Sequence, residues 1–233
     1  MKETSKPPTV GLVHAVLPAL APMRDVLARA LPDVHVINVL DEGLLTEAER
    51  LGGLVPETVD RMATVIGLLK AAGADAVLLT CTAYSPAVPE MRRRFGDLPI
   101  LAVDQEMVER AISIGRRIGV LATVQAGLEQ QTRLLNDAAR RAGVAIEIVS
   151  SLHTDAMDAL RRGDRESHDR ILLAALPELL ERVDVALIAQ VSMSPLAAKL
   201  PKNLEKPVLS SPDLAAERLR EILSGAHRLQ PAT

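Results

Sequence analysis

Aromatic side chains are almost missing from this chain: Tyr84 and Phe95 are the only two, and there is no tryptophan. Without aromatic platforms, single-stranded nucleic acid has little to stack on. The near-balanced net charge of −3 leaves no basic footprint for nucleic acid of any kind. Cysteine occurs once, at Cys81, so no internal disulfide can form, which fits a reducing cytoplasm. No apolar stretch approaches the roughly 18 residues needed to span a bilayer. The opening Met-Lys-Glu-Thr-Ser-Lys-Pro-Pro lacks the apolar centre of a signal peptide. The expectation is a cytoplasmic protein with neither nucleic acid nor membrane as partner.

Signatures of bound cofactors are missing too. No Gly-x-Gly-x-x-Gly follows the first apolar run, and no Gly-x-x-x-x-Gly-Lys-Ser/Thr loop occurs. His-Glu-x-x-His is absent, and the five histidines do not cluster as metal ligands. A Cys-x5-Arg phosphatase loop would need arginine where Ala87 stands. Gly-x-Ser-x-Gly is also absent. The expectation is an activity with no nucleotide, flavin or metal.

What is present is 48% hydrophobic residues in 233, enough for a sizeable core of Leu, Val, Ile and Ala. Short apolar runs at 9–14, 34–40, 76–80, 99–103, 117–122, 144–149, 184–189 and 207–210 read as strands covered on both faces. Helical patterns fill 18–31, 56–72, 86–95, 104–115, 126–142, 153–162, 165–182 and 212–224. Gly73 and Gly143 follow two of these as C-terminal caps. Such alternation implies α/β architecture with parallel sheets and right-handed crossovers.

The pattern also repeats. Asp75-Ala-Val-Leu-Leu-Thr-Cys81-Thr-Ala-Tyr-Ser-Pro86 answers to Asp184-Val-Ala-Leu-Ile-Ala-Gln190-Val-Ser-Met-Ser-Pro195. Gly11 answers to Gly119, Val34 to Val144 and Pro99 to Pro207, always 108 to 110 residues apart. Four ordered matches point to two duplicated domains. The division expected is 1–113, joined by the C-terminal helix 212–233, and 114–211. Each half supplies a four-stranded, mostly parallel sheet flanked by helices.

Ligands of open parallel sheets bind beyond the carboxyl ends of the strands. Cys81, His14, Leu40, Thr123 and Gln190 all fall there. If the two halves face each other, these ends meet in one cleft. Cys81 stands between a strand and a helix, where free N–H groups and partial positive charge lower a thiol pKa and cradle a carboxylate. A thiol so placed serves as acid, base or nucleophile. The alternative is a small buried hydrophobe, as many free cysteines are. Gln190 holds the matching point of the second half, and it is either a substrate contact or a bridge to backbone. His14 is either functional or a satisfied core histidine, and Ser192 either touches substrate or caps the next helix. Tyr84 gates the site or packs. Asn38 and Asp41 flank the second strand end, Asn38 as a candidate substrate contact and Asp41 as a turn or cap residue. Arg161-Arg162-Gly163-Asp164-Arg165 reads as a helix stop and restart.

These motifs resemble the aspartate/glutamate/hydantoin racemase superfamily over essentially the whole chain. Leu79-Thr80-Cys81-Thr82-Ala83 is similar to that family's first cysteine motif. Ala189-Gln190-Val191-Ser192-Met193 is similar to its second, with Gln190 where cysteine is expected. Leu121-Ala122-Thr123 resembles the turn that helps hold a substrate carboxylate, and His14 replaces the usual Asp or Asn of the first strand. The resemblance implies two pseudo-symmetric α/β halves, an active site in the cleft between them, no cofactor and a small carboxylate substrate. A homodimer is plausible for the family. The resemblance further implies that Cys81 removes or returns an α-proton, with Thr82, Ala83, Thr123, Val191 and Ser192 as donors to an enolate-like oxygen. Four readings stay open. The chain is an isomerase in which another group, such as His14, supplies the second proton; a one-cysteine decarboxylase of the arylmalonate type; a covalent isomerase of the maleate type; or a carboxylate-binding protein without catalysis.

Overall fold

The computed structural model describes residues 6–51 and 53–229. Residues 1–5, which belong to the segment read for a signal peptide, and 230–233 of the segment 212–233 lie outside the described residues. The chain divides into two units, Met1–Val103 with Pro212–Thr233, and Asp104–Ser211.

The first unit holds β1 (Thr9–His14), α1 (Leu20–Ala30), β2 (His35–Leu40), α2 (Glu42–Arg50), α3 (Pro56–Ala71), β3 (Ala76–Leu79), α4 (Val88–Phe95) and β4 (Ile100–Ala102). Its sheet runs in the order β2-β1-β3-β4, parallel throughout. The second unit repeats the plan with α5 (Gln105–Ile114), β5 (Arg117–Ala122), α6 (Gln125–Ala142), β6 (Glu147–Leu152), α7 (Thr154–Arg161), α8 (Arg165–Arg182), β7 (Val185–Ile188) and β8 (Val208–Ser210). Its order is β6-β5-β7-β8, again parallel. α9 (Ser211–Leu229) closes the chain. It returns to the first unit, where Arg220 Nη2 donates to Ala30 O at 2.7 Å and Arg29 pairs with Asp213 at 3.6 Å. No helix among the described residues is long and apolar enough to cross a membrane.

The central strands β1 and β3, and β5 and β7, are almost wholly buried. Their apolar character follows from cover on both faces. A Leu of the helix over each first strand presses on a glycine: Leu69 on Gly11 and Leu179 on Gly119. A Cβ would come within 2.8 Å of the leucine at Gly11 and 3.0 Å at Gly119, so a larger residue would have to push it aside, which accounts for the matched glycines of the repeat. Gly143 caps α6 with φ +68°, and Gly73 follows α3 with φ +86°. Both lie in the left-handed region that favours glycine.

The acidic residue opening each repeated motif is a clip between strands. Asp75 N–H donates to Thr9 O at 2.7 Å while Thr9 N–H donates to Asp75 Oδ2 at 2.7 Å. In the second unit Asp184 N–H donates to Arg117 O at 2.7 Å. Arg117 N–H and Arg116 N–H donate back to Asp184 Oδ2 at 2.8 and 2.9 Å. These bonds hold the Asp184 carboxyl far down, at about 2, with the Arg117 N–H contributing most.

Two sequence expectations are corrected. The sixth strand is Glu147–Leu152, not 144–149. Arg117 pairs with Glu147 as Thr9 pairs with His35, so the residue matching Val34 lies two places beyond Val144. The second correction is α2, which covers residues that the sequence patterns assign to neither strand nor helix. It starts where Asp41 Oδ1 accepts the Leu44 N–H at 3.1 Å, and Asp41 in turn takes a two-pronged bond from Arg61 at 2.5 and 2.7 Å.

Candidate active site

The motif containing Cys81 leaves β3 through Thr80, whose N–H donates to Val13 O at 3.0 Å. Cys81 is extended, with φ −121° and ψ 126°, and a 3-10 segment Thr82–Ala87 follows. Its first turn closes with Tyr84 N–H donating to Cys81 O at 2.9 Å. Gln190 is built the same way. Ala189 N–H donates to Leu121 O at 3.0 Å, and Gln190 is extended at φ −135° and ψ 137°. The 3-10 segment Val191–Lys199 then begins with Met193 N–H donating to Gln190 O at 3.0 Å. Each residue therefore caps a helical segment whose first N–H groups have no partner within the helix. Cys81, Thr82, Ala83, Gln190 and Ser192 are half-buried, and Val191 is buried.

The surroundings of the two caps differ. In the first unit the ring of His14, fully buried, lies against the residue before Cys81. Its Nδ1 is 2.9 Å from Thr80 Oγ1, and its Nε2 is 3.1 Å from Oδ1 of the exposed Asn38. Asn38 Oδ1 only accepts, so the neutral ring carries its proton on Nε2 and Nδ1 accepts from the Thr80 hydroxyl, which engages both nitrogens. Burial pushes the His14 pKa down, against a smaller opposing effect of Asn38, so the ring is neutral at pH 7. This is the geometry of a satisfied core histidine, and neither nitrogen transfers a proton without breaking a bond. Tyr84 is wholly buried, with its hydroxyl 3.4 Å from Asp41 O. Burial raises its pKa, with the Cys81 and Asp41 charges adding to the effect.

In the second unit Thr123, also fully buried, gives both its donors to Gln190. Its N–H lies 2.9 Å from Oε1 and its hydroxyl 2.8 Å from the same atom. The sequence reading aimed Thr123 at a substrate; the structure spends its donors on the glutamine. Lys199 carries no mark in the sequence, and Arg165 is marked there only as part of a helix restart. Arg165 Nη1 donates to Ser192 O at 3.0 Å, and Lys199 pairs with Asp169 at 2.7 Å. α8 thus grips the 3-10 segment at both ends. Burial acts to raise the Asp169 carboxyl, but Lys199 and His168 outweigh it and leave the pKa lowered. The only advance signal for Arg165 was its place at the restart of a helix, where Asp164 caps by accepting the Ser167 N–H at 2.9 Å. Among the described residues, no group of three or more His, Cys, Asp and Glu side chains is placed to hold a metal ion.

Comparison with known proteins adds a family to this geometry. A glutamate racemase from Roseiflexus is 28% identical over 150 residues, covering 56% of this chain and 53% of that protein. A second glutamate racemase, from Pseudomonas aeruginosa, is 29% identical over 49% of this chain and 42% of its own length. The chain thus spans about half the length, or less, of these curated relatives. Among solved structures, a glutamate racemase from Bacillus anthracis matches with a TM-score of 0.68 at 20% identity, covering 97% of this chain and 85% of that one. At that identity the likeness is one of fold. The Asp/Glu/Hydantoin racemase family model matches residues 51–219, and the chain belongs to that family.

Proposed function

We propose that this protein is a cofactor-independent isomerase acting next to the carboxylate of a small acid, with Cys81 as its proton carrier. The observation that carries the reading is the place of Cys81: the chain's single thiol caps a 3-10 segment at the end of a central strand, in a racemase-family chain. Relatives named as glutamate racemases make a small amino acid the first substrate to try. In the step proposed, the Cys81 thiolate takes the α-proton, so the C–H bond breaks and an S–H bond forms. The electron pair moves onto the carboxylate as an enediolate, and the S–H then returns a proton to carbon.

A two-base racemase needs a second acid, and an amide at position 190 does not supply one near neutral pH. His14, the group suggested by sequence, has both nitrogens bonded. Inversion then needs a second acid other than these two; without one, the same Cys81 step gives proton exchange at a single enantiomer or reprotonation after loss of CO2 from a malonate. The test is proton NMR of the protein in D2O with aspartate, glutamate, hydroxy acids, malonates and maleate. Loss of an α-proton signal, or CO2 release, is expected with wild type and is abolished in Cys81→Ser with its fold intact. Undiminished turnover in that variant removes Cys81 from the mechanism. Silence across the panel in wild type overturns the isomerase reading.

A further inference from the structure

The orientation of the Gln190 amide is fixed by a group that can only donate. Thr123 N–H, 2.9 Å away, needs an acceptor, so the atom facing it is the carbonyl Oε1 and not the amino group. The Thr123 hydroxyl adds a second bond to the same atom at 2.8 Å. The stem is flanked as well: a Cβ at Gly127 would lie 3.5 Å from both Gln190 Cγ and Cδ. With Oε1 held by two donors, Nε2 has little choice of direction. Among the described residues it has no hydrogen-bond partner, and it is not one of the buried orphan atoms, so solvent reaches it.

We propose that Gln190 is a hydrogen-bond donor to a carboxylate oxygen of the ligand, and that Thr123 is its positioning residue and not itself a ligand contact. The class of ligand rests on the isomerase reading above; the direction of the amide does not. An amide holds its protons at neutral pH, so Nε2 has one useful role toward an anion. It stabilises negative charge on oxygen, most of all the charge that grows there when a neighbouring C–H bond breaks. The replacement at the end of β7 thus exchanges a proton carrier for a fixed donor.

The test follows the side-chain NH2 signals of Gln190 in 15N-labelled full-length protein, identified by their loss in Gln190→Glu. Acetate, malonate and glutamate are titrated in, and affinities are measured by calorimetry. The Gln190 signals are expected to shift and saturate with at least one carboxylate. Gln190→Glu, which keeps the acceptor for Thr123 but turns the donor into a charged oxygen, is expected to weaken that ligand about 10- to 100-fold. Thr123→Val is expected to weaken it several-fold and Thr123→Ser to restore it. Gln190 signals that stay still at saturation, no binding by any of the three, or equal affinity in Gln190→Glu overturns the assignment. Exchange of α-protons without a Gln190 shift sinks this inference and leaves the isomerase reading standing. A shift without exchange does the reverse.

Discussion

Replacing Gly119 by alanine tests whether the central strands are set by the helix leucines above them. A Cβ there would lie 3.0 Å from Leu179 Cδ1 and Cγ and 3.1 Å from Cδ2. The best separation for carbon atoms is about 3.5–4.0 Å. Leu179 is itself only 3% exposed and has little room to turn. Overpacking of this kind costs about 1–3 kcal/mol. Loss of glycine freedom in the unfolded chain returns about 0.4–1 kcal/mol. The net loss of about 1–2 kcal/mol corresponds to a Tm drop of roughly 2–8 °C in a chain of this size. Leu179→Ala alone opens a cavity and costs about 2–5 kcal/mol. In the double variant the new methyl enters the vacated space, so the two losses do not add, with a coupling of about 1–3 kcal/mol. Urea unfolding of the four proteins by circular dichroism measures that coupling, and Gly11 with Leu69 gives the same cycle in the other unit. Losses that add to within about 0.5 kcal/mol refute the contact as the reason for glycine.

Three further outcomes are expected. Because burial lowers the His14 pKa, its neutral form supports the fold above the unfolded value near 6.5, and that support is lost as pH falls. Stability measured from pH 8 to 5 should drop less in His14→Gln than in wild type, and parallel slopes contradict the assignment. The Asp184 carboxylate supports the fold above its unfolded pKa near 4, and that support disappears as pH falls toward about 2. Acid unfolding of Asp184→Asn should therefore show a shallower loss between pH 4 and 2, and an unchanged curve argues against the clip. Tyr84, the chain's single tyrosine, is held neutral past the ordinary phenol pKa near 10, so its contribution is present below that pH and lost above it. Phenolate absorbance should rise only together with unfolding in an alkaline titration; a transition near 10 in the folded protein contradicts its burial.

The strands buried on both faces were the most legible part of the sequence. β1 and β5 run over the very residues, 9–14 and 117–122, whose apolar runs announce them. β6 was misplaced because it is an edge strand. With one side unpaired it accepts Ser150 and Ser151, while the more apolar Val144-Ala-Ile stays outside the sheet. α2 was missed because nine residues carry little periodic signal, and its anchors, Asp41 and Arg61, are tertiary. The repeat exposed the contrast between Cys81 and Gln190, since both sit at matched strand ends. It did not expose what Gln190 does with its amide, because Thr123 comes from another strand, 67 residues away. His14 was ambiguous for the same reason: Asn38 and Thr80, which occupy its two nitrogens, arrive from β2 and from the end of β3.

The aspartate clips have a consequence for the chemistry at the opposite ends of the strands. Asp75 stands six residues before Cys81, and Asp184 six before Gln190. Extended chain covers about 20 Å in that span. A parallel pair that slipped by one residue would turn every side chain of the strand to its other face. It would aim the thiol or the amide into the helices. Each carboxylate closes a small ring with the first backbone N–H of its neighbour strand and so zeroes the scale along which the distant residue is placed. Loss of a clip should thus show itself less as weakness at its own end than as imprecision of aim at the other.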